Sequence, residues 1–183
     1  MTTTELKKRL ADKHYGEKEI RLISQTISPD EIYSCLFDSD KRTADNAAWA
    51  LTKLSKEGRT FLQTKHNELI EEAMRTKSTT KRRLIMTIIE KQKFCKETIR
   101  TDFIDFCLDK IICAEEAVGV RSLAVKLAYA QCSLYPELTA ELKMVLEQLD
   151  AASLLPGLKS IRKRTLNKIG NLKMNDNNKI NRT

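Results

Sequence analysis

The chain has 183 residues, with 33 Lys+Arg against 25 Asp+Glu for a net charge of +8, and 41% of it is hydrophobic. That is the length of one domain, with enough apolar content to bury a core without disulfide or metal staples and too little for a membrane protein. Only 5 Gly and 3 Pro are present, which argues against a many-turned β sandwich or barrel.

Leu6 and Leu10 stand four apart and predict a helix over 4–14, broken at Gly16. Ile20, Ile23 and Ile27 share one face of a second helix over 17–27. Ser28-Pro29-Asp30-Glu31 reads as a helix start: Ser28 can cap, Pro29 suits the first helical position, and Glu31 completes a capping box. That helix is short and ends near Asp38. Ser39 or Asp40 caps the next, expected to run to about Lys56 before Gly58. Helices over 60–75 and 79–93 follow, split at Lys77-Ser78-Thr79-Thr80. Another pair covers 100–114 and 118–134, with Gly119 near the junction. Pro136 opens a helix whose Leu138, Leu142, Val145, Leu146 and Leu149 form an amphipathic stripe. Pro156-Gly157 precedes a last helix ending near Gly170. Residues 1–170 are thus read as a single helical domain. The remainder, 171–183, is too polar to offset the entropy of ordering and is expected to be a disordered, basic, Asn-rich tail.

The opening MTTTELKKRLADKHYG lacks the apolar core of a signal peptide, and no stretch approaches the roughly 18 apolar residues of a membrane span. A cytoplasmic location away from the membrane is expected. The cysteines, Cys35, Cys95, Cys107, Cys113 and Cys132, are odd in number and form no CxxC pair. Most lie in apolar helical runs and read as reduced thiols acting as small core hydrophobes. His14 and His66 are far apart, with no partner at ligand spacing. No metal or cofactor is expected.

A longer period emerges when three second helices are stacked from Ala44, Lys81 and Arg121, 37 and then 40 residues apart. Apolar residues coincide at Ala47/Leu84/Ala124, Ala48/Ile85/Val125 and Leu51/Ile88/Ala128. A further step of 37 from Ala124 lands on Ile161. One helical hairpin cannot bury its apolar face alone, but stacked neighbours can. Val120-Arg121-Ser122-Leu123-Ala124-Val125 resembles the Val-Arg-x-x-Ala-Ala core of a second helix in the HEAT/armadillo-like α-solenoids. Ala44 and Lys81 occupy the arginine position of the other two units in this alignment. The resemblance covers residues 30–170 and implies an all-α, right-handed array of about five helical hairpins with a concave surface. It names no partner. Trp49 is expected to pack between hairpins. The 118–134 helix, apolar on nearly all sides, is expected near the middle of the stack.

No GxGxxG, GxxxxGK[ST], HExxH or GxSxG motif is present. With two histidines the usual acid–base and metal constellations have no residues to build from, so no enzyme is expected. Asp102, Asp105 and Asp109 share an acidic helical stripe, expected to face a neighbouring Lys or Arg. The basic positions form two clusters. Lys81, Arg82 and Arg83 begin one second helix. Lys159, Lys163, Arg164 and Lys168 lie mostly outside the apolar arc of the last one, while Arg162 falls within that arc and is expected to pair with an acidic residue.

The first reading is a non-enzymatic scaffold that binds a protein. The second is a nucleic-acid backbone binder using the two basic clusters as phosphate contacts. A third is an enzyme similar in architecture to the HEAT-like glycosylases that remove alkylated bases. Those enzymes combine a carboxylate with several aromatics, whereas Trp49 is the only tryptophan here. Residues 156–183 hold eight basic residues and one acidic, so the excess charge belongs to the last helix and tail.

Overall fold

The structure, a computed structural model, describes residues 3–12 and 15–180, with side chains over 4–11 and 15–171. Among the described residues every regular element is helical. The chain divides into two compact units, Met1–Lys93 and Phe94–Thr183.

The first unit holds α1 (Thr3–Asp12), α2 (Glu17–Thr26), α3 (Pro29–Cys35), α4 (Lys41–Leu51), α5 (Lys56–Thr64), α6 (His66–Arg75) and α7 (Thr79–Glu90). Local chemistry sets the starts. The Ser28 hydroxyl accepts from the Glu31 N–H at 3.3 Å and donates to the Glu31 carboxylate at 2.8 Å. Asp40 accepts from the Thr43 N–H at 2.8 Å, and Ser78 from the Lys81 N–H at 3.2 Å. α4 is the hub, packed against α1, α2, α3 and α7. Its buried Ala44, Ala47, Ala48 and Ala50 are small enough to let four neighbours approach one helix.

Three sequence expectations change here. α4 stops at Leu51, not near Lys56, because Ser55 caps a new helix by accepting from the Gly58 N–H at 3.4 Å. Gly58 therefore sits inside α5 rather than ending a helix, and a Cβ there would lie 2.7 Å from Leu54 Cβ. The expected 60–75 helix is two helices, α5 and α6, which meet at Lys65. Trp49 is only half-buried, because it lies on the flank of α4 away from Ala44, Ala47, Ala48 and Leu51.

The second unit holds a short 3-10 turn (Lys96–Thr98), α8 (Thr101–Ile112), α9 (Val118–Cys132), α10 (Pro136–Gln148) and α11 (Pro156–Ile180). α9 packs against α8, α10 and α11 and buries Val120, Ala124, Val125, Leu127 and Ala128. It is the central helix of its unit, as its all-round apolar pattern implied. Leu142 and Leu146 anchor α10, and Leu158, Thr165 and Ile169 anchor α11. α11 does not end near Gly170 but continues to Ile180, because Gly170 keeps a helical backbone rather than a positive φ; of the tail expected over 171–183, side chains from residue 172 onward lie outside the described residues.

All five thiols are free, with Cys35, Cys107 and Cys132 buried and Cys95 exposed. Burial pushes the Cys132 thiol up to about 12 and raises that of Cys107 as well, so both behave as small apolar groups. No described helix is long and apolar enough to cross a membrane.

Candidate interaction surfaces

The arginines resolve into a repeated device. Arg42 donates to the Ala11 carbonyl at 3.2 Å, at the end of α1. Arg82 donates to the Ala73 carbonyl at 3.2 Å and also to that of Thr76, at the end of α6. Arg121 donates twice to the Ile111 carbonyl, at 3.1 and 2.9 Å, at the end of α8. Arg162 reaches the Leu146 carbonyl at 2.6 Å and that of Glu147 at 3.5 Å, at the end of α10. A helix C-terminus leaves carbonyls without partners and carries partial negative charge, so a guanidinium fork suits it twice over.

These four arginines follow one another at 40, 39 and 41 residues. The arginine position is therefore held by Arg42 and Arg82, not by Ala44 and Lys81. Arg162 does lie along its neighbour, but it meets carbonyls rather than an acidic side chain. A search for arginines at a forty-residue interval, each at the start of a second helix, would have found them.

The two basic clusters fare differently. Lys81 is buried, with its Nζ 2.6 Å from Glu72 Oε1, and Arg75 holds the other carboxylate oxygen at 2.5 Å. Burial alone would push the Glu72 carboxyl up. The hydrogen bonds from Lys81 and Arg75 outweigh it and hold the group below the usual carboxylate range. With Arg82 committed to α6, Arg83 is the one cation of that cluster on the exposed surface. Lys159, Lys163, Arg164 and Lys168 are all exposed on α11. Lys168 lies 5.4 Å from the ring centre of Tyr129, and Arg164 reaches back to the Ser160 carbonyl at 3.5 Å. Of the acidic stripe, Asp102 pairs with Arg100 at 2.5 Å. Asp105 and Asp109 are exposed and make no ion pair among the described residues.

His66 is buried with its Nδ1 2.5 Å from Gln92 Oε1, and Gln92 donates to the Leu62 carbonyl at 2.7 Å. Its visible role is to tie the start of α6 to the end of α7. No group of acidic, histidine and cysteine side chains able to hold a metal occurs among the described residues.

Two clefts combine apolar surface with a polar rim. In the first unit Phe37, 42% exposed, shares a cleft of about 260 Å³ with Glu68, Glu71, Glu72 and Arg75. Tyr33 meets the Phe37 ring edge-on at 5.2 Å and donates to Glu68 at 3.1 Å. In the second unit a cleft of about 470 Å³ opens between the end of α8 and the start of α11. Val118, Leu149, Leu154 and Leu158 line it, and Ile112 and Leu155 stand at its edge, 55% and 59% exposed. Sequence reading missed both clefts, because each joins residues from several helices.

Comparison with known protein families matches the chain to a HEAT repeat domain over residues 4–169. No curated protein and no solved structure matches the chain.

Proposed function

We propose that this chain, which belongs to the HEAT repeat domain family, is a non-enzymatic scaffold that binds a protein partner. The observation that carries the reading is the Phe37 cleft. A large aromatic stays accessible there, braced edge-on by Tyr33 and ringed by charged side chains. An aromatic anchor inside a polar rim is the composition of protein–protein contact cores. Two of the cations that sequence offered as phosphate contacts support the same reading: Lys81 and Arg82 are engaged in holding helices together. Five free thiols accord with action in a reducing cytoplasm.

The test uses the full chain as bait in nuclease-treated extract of its source cell, beside a Phe37→Asp variant. Phe37 is exposed, so the substitution spares the core. The reading expects a stoichiometric protein partner that the variant loses at least tenfold. Equal capture by the variant, or capture that disappears on nuclease treatment, overturns it.

A second reading, nucleic-acid backbone binding, is favoured by one observation: Lys159, Lys163, Arg164 and Lys168 are exposed on α11 with no acidic residue between them. It expects the full chain to bind a short DNA or RNA duplex with an affinity that falls steeply with salt. No binding at about 50 mM salt ends it.

A further inference from the structure

We propose that the second unit carries a self-complementary face through which two copies of this chain associate. The face is built around the cleft between α8 and α11. Ile112 and Leu155 stand at its edge, more than half exposed, above a lining of Val118, Leu149, Leu154 and Leu158. Two large aliphatic side chains held out at one cleft form a patch that is costly to leave in water.

The charges beside the cleft choose the occupant. On α8, Asp109 and Asp105 precede Ile112 by three and seven residues, which places them on the same helical stripe. On α11, Lys159 and Lys163 follow Leu155 by four and eight. The Lys159 N–H bonds to the Leu155 carbonyl at 3.0 Å, so Leu155 is the residue on which α11 starts and the two lysines stand in the turns directly after it. All four side chains are exposed and make no ion pair among the described residues.

The α8 side thus carries Asp105 and Asp109 and the α11 side Lys159 and Lys163, while within the lining Arg121 is held by the Ile111 carbonyl and Asp150, which accepts from the Ala152 N–H at 3.0 Å, adds a further carboxylate for the mate's lysines. The composition of the unit follows the same division: residues 94–155 hold 6 basic and 10 acidic residues, and 156–183 hold 8 basic and 1 acidic. An acidic partner would satisfy one rim and be repelled by the other, and a basic partner likewise. A second copy, turned by a two-fold axis that runs between the rims, sets α8 against α11 of its mate on both sides at once. Such an isologous contact forms every charge pair twice. Leu155 of each copy then has a cleft of about 470 Å³ to enter. This association stands apart from the scaffold reading, which rests on Phe37 in the first unit.

The experiment is sedimentation equilibrium on the full chain over roughly 1–300 μM, at low and at high salt. The expected result is a monomer–dimer equilibrium that weakens as salt rises. Leu155→Asp should leave a monomer with an unchanged far-UV circular dichroism spectrum. Asp109→Lys and Lys159→Glu should each weaken association by about tenfold or more, because each reversed charge acts twice. The two together should restore it to within about threefold of the native value, since the pair is re-formed with its signs exchanged. The proposal is overturned by a chain that stays monomeric throughout. A dimer indifferent to Leu155→Asp, or two charge reversals that add instead of cancelling, also overturns it. Loss of the Phe37-dependent partner leaves this result untouched, so the two readings fail separately.

Discussion

Lys81 and Lys159 are both lysines in the opening turn of a long second helix, one in each unit, and they end in opposite circumstances. Lys81 is buried against Glu72, which Arg75 also holds. Lys159 stands in solvent on α11, whose residues 156–180 carry seven basic groups and one acidic. The difference lies in the helix before each. α6 supplies Glu72 at a point that meets the start of α7, whereas among the described residues α10 supplies no carboxylate that reaches α11. A run of basic residues in sequence is thus no measure of a basic surface. What decides is whether the neighbouring helix brings a counter-charge to the same height.

The largest expected effect breaks this comparison most directly. Glu72→Gln should cost about 3–5 kcal/mol in urea denaturation, because it strands a buried ammonium. Replacing Glu72 and Lys81 together by methionine should cost far less, since no charge is then left in the core. A loss below about 1 kcal/mol for the single change would mean that Lys81 is solvated after all.

Acid probes the same pair. Glu72 has a folded-state pKa below its ordinary 4.5, so its contribution is complete above that value. It is lost as pH falls through the lower, folded value. A pH titration of stability should show this loss in the native chain and not in the double methionine variant.

The arginine device should sharpen the contrast by about 2 kcal/mol. Arg121 is buried and donates twice to one carbonyl, so Arg121→Met should cost about 2–3 kcal/mol. Arg42 is exposed, and Arg42→Met should cost less than about 1 kcal/mol. Equal costs would show that burial does not set the value of this contact.

Gly58→Ala should cost about 1–2 kcal/mol, because the new methyl meets Leu54 Cβ at 2.7 Å. The smallest effect belongs to α11, where Lys163→Gln should change stability by less than about 0.5 kcal/mol while altering any binding to charged partners. A large loss there would mean that α11 is held by its charges.

Much of this protein was legible in one dimension. The caps at Ser28 and Asp40 act within three residues of themselves, so their hydrogen bonds could be read off as they stand. The all-round apolar pattern of 118–134 marked α9 as a helix covered by neighbours, and within its unit it packs against α8, α10 and α11. The HEAT resemblance, carried by Val120-Arg121-Ser122-Leu123-Ala124-Val125, also holds, because the repeat is periodic in sequence. The glycine at 58 misled, since glycine marks a close approach as readily as a helix end.

Sequence alone therefore determined that the chain is helical, where several of its helices start, and that they repeat in the HEAT manner, since these follow from contacts within a turn or from a regular period. Tertiary structure decided the fate of each charge. It gave Lys81 to Glu72, gave Arg42, Arg82, Arg121 and Arg162 to helix ends, and left Asp109 and Lys159 exposed. Those partners lie on other helices, and the energy of a charge is set by what the fold brings within a few ångströms of it.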